Sequence, residues 1–327
     1  MSGKLRIGII GCGDFLRLRA ADLLSSRQVE VKLLYSPVNS ANAERYAEIF
    51  GAKAADSPEA IINDPEIDVV CVFVPPFARK EYVLAAAKAG KQIVATKPLA
   101  ADLSDAREMT EAVEQAGVRC GVIYRRTNNP VIEAYKEIFS GGEFGKLALY
   151  KQDWLHHYPT WNRWATDPKK NGGPFMDAML HNLNAARYLM GRRVVGRAFF
   201  SDDHTHSLAC DDTQFLKVDF EQGASAHLFI TWAAELAVYD SAKNDREHID
   251  QCFMVTDQGW LFRNEIREGK AVITATRNGL EKDFPVIPFE ETFFDRYAKE
   301  IKNRDILPAD LPDIREAYED LRILLEN

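Results

Sequence analysis

Lys4 to Ile10 is a charged start followed by an apolar run, and it stops at Gly11-Cys12-Gly13. From Asp14 the apolar spacing turns helical, with Phe15, Leu18, Leu23 and Leu24 available for a buried face. Strand, tight glycine turn and helix, in that order, read as the opening of a dinucleotide-binding βαβ unit. Gly11 makes the sharp turn, and Gly13 lets backbone approach a pyrophosphate with no Cβ in the way. The helix start beyond it offers unpaired N–H groups and a partial positive charge to phosphates. Leu16 stands where the third glycine of G-x-G-x-x-G would be, which predicts a wider helix–strand crossing or a shifted turn.

That opening predicts strand alternating with helix, and the chain supplies it. Val29–Tyr35 is the second strand, Ala41 to Phe50 a helix ended by Gly51, and Ala52–Ala55 a short strand. Ser57-Pro58 caps a short helix, and Asp68 to Val74 is the continuous apolar run of a strand covered on both faces, ending at Pro75-Pro76. A helix from Arg79 to Ala89 stops at Gly90, Gln92–Thr96 delivers Lys97-Pro98, Asp102 caps a helix closed by Gly117, and Val118–Tyr124 is the last strand. Residues 1–124 are therefore expected to form a doubly wound parallel α/β sheet, the Rossmann arrangement.

After Arg125 the rhythm changes. A helix over Val131 to Phe139 leads to a strand over Leu147 to Trp154, and Phe175–Met190 reads as a further helix. Strand-like stretches follow without helices between them: Val194–Phe200, Thr213–Phe220, Ala224–Trp232, Ile249–Val255, Gly259–Phe262 and Ala271–Ala275. In Thr213–Phe220 the side chains alternate, with Phe215, Lys217 and Asp219 on one face and Leu216, Val218 and Phe220 on the other. Two helices, Phe289–Asn303 and Asp310–Leu325, close the chain around Pro308 and Pro312. Residues 125–327 are expected to form the second domain, since 327 residues exceed one ordinary core.

Composition narrows the partners. With 41 basic against 49 acidic residues the net charge is −8, which disfavours nucleic acid and anionic membrane surfaces. No apolar run is long enough to span a bilayer, and a strand so near Met1 leaves no room for a signal peptide. Five scattered cysteines without a C-x-x-C pair read as buried hydrophobes in a reducing compartment, so a cytoplasmic location is expected.

Two stretches carry titratable groups where chemistry needs them. Thr96-Lys97-Pro98 ends a parallel strand, the edge where open α/β sheets bind ligands. Asn171-Gly172-Gly173 opens a helix on which Asp177 and His181 stand one turn apart on one face. A lysine, a carboxylate and an imidazole suit removal of a proton from a hydroxyl as hydride leaves its carbon. Taken singly, Lys97 also reads as a solvated loop lysine, and Asp177 with His181 as a helix-surface pair. A zinc site through His156, His157 and His181 lacks any H-E-x-x-H or cysteine cluster, so no metal is expected. The end of the second strand, Tyr35-Ser36-Pro37-Val38-Asn39, lacks the acid that would bind the ribose hydroxyls of NAD. Ser36 is free to donate to a 2′-phosphate, although no arginine stands beside it, so the reading is NAD(P) with NADP favoured over NAD.

Gly8-Ile9-Ile10-Gly11-Cys12-Gly13, Asp68–Pro76, Ala89-Gly90-Lys91 with Lys97-Pro98-Leu99, and Gly172-Gly173 with Asp177 and His181 together resemble the glucose–fructose oxidoreductase/inositol dehydrogenase (Gfo/Idh/MocA) family, end to end. The resemblance implies an N-terminal Rossmann domain followed by an α/β domain with a large, mostly antiparallel sheet, whose open face makes the oligomer interface in many relatives. It implies cofactor contacts from Gly11, Cys12, Gly13, Asp14, Phe15, Ser36, Val74, Pro75, Pro76 and Lys97. It also implies a catalytic group: Lys97 polarises the reacting oxygen, His181 is general acid/base, and Asp177 positions the substrate or His181. Three residues depart from the pattern: Thr96 replaces the usual glutamate, Asn171 the first glycine, and Arg79 a common histidine.

The substrate implied is a sugar, cyclic polyol or sugar derivative, oxidised or reduced between hydroxyl and ketone. Arg125, Trp161, Arg163 and Trp164 are the residues expected to line its site beside Lys97, Asp177 and His181, since indole faces suit sugar C–H groups and arginine suits hydroxyls. Trp161 and Trp164 also read as core anchors of their loop. A homo-oligomer, dimer or tetramer, is expected. Two other functions fit the same fold: a non-catalytic NAD(P)- or sugar-binding regulator, and a dehydrogenase or reductase of a non-sugar substrate such as a trans-dihydrodiol.

Overall fold

Strands β1 (Leu5–Ile10), β2 (Val29–Tyr35), β3 (Lys53–Ala54), β4 (Val69–Val72), β5 (Gln92–Thr96) and β6 (Cys120–Ile123) form one parallel sheet in the order β3-β2-β1-β4-β5-β6. This computed structural model describes residues 3–155, 164–233, 249–303 and 311–326. It divides into two compact units, residues 1–128 with 289–327 and residues 129–288. Because every pair in the six-stranded sheet is parallel, the loops leaving β1, β2, β4, β5 and β6 share one edge. The strand order reverses between β1 and β4, and a crevice opens at such a switch point.

The connecting helices follow their sequence signals. Asn39, Ser57 and Asp102 cap α2 (Ser40–Phe50), α3 (Pro58–Ile62) and α5 (Leu103–Ala116) by accepting backbone N–H bonds. α1 spans Asp14–Ser25 and α4 spans Lys80–Lys88. The buried face of α1 differs from the expected one. Leu16 and Leu23 are buried, whereas Leu18 and Leu24 are more than half exposed. At 100° per residue, Leu16 and Leu23 point the same way and Leu18 points nearly opposite. The residue in the third-glycine position is thus fully enclosed in the core.

In the second unit, α6 (Pro130–Ser140), β7 (Leu147–Leu155) and α7 (Leu180–Met190) precede β8 (Val194–Asp202), β9 (Thr213–Phe220) and β10 (Ser225–Thr231). β11 (Ile249–Thr256), β12 (Leu261–Arg267), β13 (Lys270–Arg277) and β14 (Leu280–Pro285) complete an eight-stranded sheet, ordered β14-β13-β12-β11-β7-β10-β9-β8. Only the β7–β10 pair runs parallel. β14 is absent from the sequence reading, because Glu281, Lys282 and Asp283 hide the strand pattern of an exposed edge. A readable signal did precede it. Asn278-Gly279 is a two-residue hairpin loop with both φ angles positive. α7 packs on β7 and β10, and the alternation expected for Thr213–Phe220 holds: Leu216, Val218 and Phe220 are buried while Phe215, Lys217 and Asp219 are partly exposed.

The chain does not divide at 124/125 as a simple sequential pair of domains. After the second unit it returns to the first, where α8 (Phe293–Lys302) and α9 (Ile314–Leu325) belong. Phe293, Phe294, Tyr297 and Leu311 share one core with Leu5, Ile9 and Leu34, and the Tyr297 hydroxyl donates to the Ile93 carbonyl at 2.6 Å. An amphipathic helix announces that it has a buried face but not which surface it covers.

Asp295 anchors this return. Its carboxylate accepts from the Ser26 hydroxyl (2.6 Å), the Arg27 and Gln28 backbone N–H groups (2.9 and 3.1 Å) and the Thr292 hydroxyl (2.9 Å). Burial disfavours the charged form, but the Ser26 and Thr292 bonds outweigh it and hold the carboxyl below its usual range. The folded pKa is depressed, so the stabilisation is present above the unfolded value of about 4 and is lost as pH falls through the folded one. Asp295→Asn is expected to destabilise the protein by about 2 kcal/mol at neutral pH. The deficit shrinks in acid, and urea unfolding at pH 7 and pH 3 measures both.

Candidate active site

Backbone geometry decides the glycine turn. Gly11 has φ +105°, and a Cβ there would lie 2.7 Å from the Phe73 carbonyl carbon and 2.9 Å from the Val74 nitrogen. The Gly11 N–H donates to the Tyr35 carbonyl at 2.8 Å, so the turn after β1 is tied to the end of β2 and pressed against the end of β4. At Gly13, by contrast, an added Cβ would meet nothing within 4 Å. Gly13 is the N-cap of α1, and no side chain caps that helix start. A cradle that a Cβ would fill, above uncapped N–H groups, fits the pyrophosphate of a dinucleotide.

The neighbouring residues take different parts. Cys12 is buried, its thiol donates to the Tyr35 carbonyl at 3.5 Å, and burial pushes its pKa up to about 12. Asp14 is exposed on the first turn of α1, and the partly exposed Phe15 ring stands edge-on to Phe73 at 5.0 Å. Ser36 is partly exposed at the end of β2, and its hydroxyl accepts from the Asn39 N–H at 3.4 Å. The first turn of α2 beyond it holds no acid.

Val74 is buried, Pro75 partly exposed and Pro76 buried in the loop after β4. Lys97, partly exposed, follows β5 directly, and its N–H reaches the Ile123 carbonyl of β6 at 3.5 Å. Arg125 is exposed in the 3₁₀ turn after β6. The expected cofactor residues and Lys97 are therefore gathered on the strand-end edge of the first unit.

Arg79 escaped the sequence reading except as a departure from a pattern. The structure places its guanidinium, 1% exposed, among backbone carbonyls of the same edge. It also contacts a second departure directly, donating to the Thr96 hydroxyl at 2.6 Å. The readable signal was a lone arginine immediately after the apolar run Val72 to Ala78.

In the second unit, the expected helix over Phe175–Met190 is two pieces: a π-helical turn, Phe175–Met179, then α7. The Leu180 N–H reaches back five residues to the Phe175 carbonyl, which marks the inserted turn. The Phe175 N–H donates to the Gln214 side chain at 2.8 Å, and Asn171 is buried with its amide donating to the Ala165 carbonyl at 3.3 Å. From Gly173 to Ala186 every residue is buried except two, Asp177 and His181. Asp177 and His181 are thus a partly exposed polar pair on an otherwise enclosed segment. Trp164 is partly exposed, and Ala165 packs with Cys210 and Trp232. Trp161, Arg163, His156 and His157 lie outside the described residues.

A glycine cradle on a parallel sheet, in a chain that carries a second α/β unit, defines a nucleotide-dependent α/β enzyme class. Residues 5–124 match the description "Oxidoreductase family, NAD-binding Rossmann fold", and residues 132–245 match "GFO/IDH/MocA C-terminal domain". The chain belongs to the Gfo/Idh/MocA family, as an NAD(P)-dependent oxidoreductase. It is 25% identical to scyllo-inositol 2-dehydrogenase (NAD(+)) of Bacillus subtilis, over 93% of this chain and 86% of that protein. It is 27% identical to myo-inositol 2-dehydrogenase of Thermotoga maritima, over 91% and 86%. The fold superposes on the aldose–aldose oxidoreductase of Caulobacter crescentus with a TM-score of 0.82 at 18% identity, covering 98% and 95% of the two chains. Among the described residues, no helix is long and apolar enough to cross a membrane.

Proposed function

We propose that this protein interconverts a hydroxyl and a ketone on a sugar, cyclic polyol or sugar derivative, with Lys97, Asp177 and His181 as the catalytic group. The observation that carries the reading is the partial exposure of Asp177 and His181, and of no other residue between Gly173 and Ala186. The inositol specificity named for two full-length relatives supports the substrate class. When bound, the nicotinamide accepts or delivers the hydride. The Gly11–Gly13 cradle and the α1 N-terminus hold the pyrophosphate, and the Val74-Pro75-Pro76 loop bounds the crevice beside it. The Lys97 ammonium polarises the reacting oxygen, His181 takes or returns the hydroxyl proton, and Asp177 orients either the imidazole or the substrate. Arg125, Trp161, Arg163 and Trp164 complete the sugar site.

NADP is the favoured cofactor. No carboxylate stands at the end of β2 or in the first turn of α2 to repel a 2′-phosphate, and Ser36 supplies a hydroxyl there. The protein is a cytoplasmic homodimer or homotetramer that associates through the sheet face of its second unit, where Phe200 is 58% exposed and stacks on Phe215.

Calorimetric titration with NAD(H) and NADP(H), followed by a sugar and polyol panel read at the nicotinamide absorbance, tests the reading. Tighter binding of NADPH than NADH, with turnover of at least one panel member, is the expected result. Tight binding of either cofactor with no turnover across the panel moves the chain to the regulatory class. Light scattering on the same preparation reads the oligomer, and a monomer overturns that part.

A further inference from the structure

We propose that Arg79 is a positioning residue for Lys97, its buried guanidinium tying the loop that carries the lysine to the end of β4. This rests on the reading of Lys97 as part of the catalytic group. Nη2 donates to the Val74 carbonyl at 2.8 Å and to the Thr96 hydroxyl at 2.6 Å. Nη1 donates to the Thr96 carbonyl at 2.6 Å, to the Leu99 carbonyl at 3.0 Å, and to the Pro98 carbonyl between them. The acceptors therefore flank Lys97 on both sides and join its loop to the segment that follows β4.

The choice of arginine is informative. All of these acceptors are neutral, and among the partners there is no carboxylate to compensate the charge. Burying a cation without a counter-ion is costly; the two Nη groups offset that cost with five acceptors, while Nε is buried with no hydrogen-bond partner. A planar, rigid fork reaches several acceptors at fixed angles, which a flexible ammonium does not do. Burial lowers the pKa to about 10, so the group stays charged at neutral pH and each bond remains charge-assisted. The loop that must hold Lys97 in register is the one given this rigid tie. Misplacing a catalytic group by ~1 Å costs on the order of 100-fold in rate.

The test compares Arg79→Met, Arg79→Lys and Thr96→Val with the wild-type chain. NADPH affinity is read by nicotinamide fluorescence, kcat and KM on a panel that includes myo-inositol, and local backbone order by hydrogen exchange. Arg79→Met is expected to lower kcat about 100-fold while NADPH affinity changes by no more than about threefold. Arg79→Lys should recover about tenfold of that loss, and Thr96→Val, which removes one bond at nearly constant volume, should fall between them. Thr96→Val decides the matter if Arg79→Met does not fold. If the wild type turns over nothing on the panel, the dehydrogenase reading fails, and exchange of the 97–101 amides judges Arg79. Exchange there at least tenfold faster in Arg79→Met than in the wild type, with β5 and β6 unchanged, supports the tie. Wild-type kcat in Arg79→Met and Thr96→Val, or unchanged exchange where no activity exists, overturns it.

Discussion

Lys97→Ala and His181→Ala each lower kcat by about 10²–10⁴ while leaving cofactor affinity near the wild-type value. In the proposed site the pyrophosphate is held by the Gly11–Gly13 backbone and the α1 N-terminus, which neither substitution touches. Lys97 lies on the loop after β5 and His181 on a helix of the other unit, so each side chain is lost without disturbing that cradle. Both residues are partly exposed, so truncation leaves no large cavity and the fold survives. The pH profile distinguishes the roles. Losing a general acid/base removes a limb of the kcat profile, whereas losing a polarising cation lowers kcat at every pH. Steady-state kinetics with cofactor affinity measured separately checks this, and wild-type turnover in both variants sinks the catalytic assignment.

The second large effect separates two glycines that look alike in sequence. Gly11→Ala should destabilise the first unit by about 3 kcal/mol, because φ +105° is strained for alanine and its Cβ would press on the Phe73 backbone. Backbone atoms of a buried loop yield poorly, so the turn shifts and cofactor affinity falls with stability. Gly13→Ala meets nothing within 4 Å, and its cost to the fold is about 1 kcal/mol or less, from the altered helix cap. Its cofactor affinity nevertheless drops by about tenfold or more, since the new methyl group occupies space the phosphates need. Thermal unfolding and fluorescence titration of the two variants give opposite orderings of damage only if the cradle lies above Gly13. Wild-type affinity in Gly13→Ala moves the phosphate site elsewhere.

Short-range signals carried much of this molecule. Capping residues, glycine stops and strand periods placed the elements of the parallel sheet, because hydrogen-bonding needs at helix ends and period-2 or 3.6 burial act over a few residues. Lys97 was legible at a strand end for the same reason, and Asp177 with His181 from a four-residue spacing. Other features were settled only by packing. Which face of α1 is buried, that residues 289–327 return to the first unit, and that a π turn interrupts the expected helix all depend on surfaces distant in sequence. Arg79 illustrates the difference most directly. As a residue it is one charge in a loop. Its role exists only once the ends of β4 and β5 lie side by side and five neutral oxygens converge on it. Local chemistry thus determined the elements and the residues able to react, while tertiary structure decided which of them are enclosed, exposed or held, because burial is a property of neighbours that the chain brings together from afar.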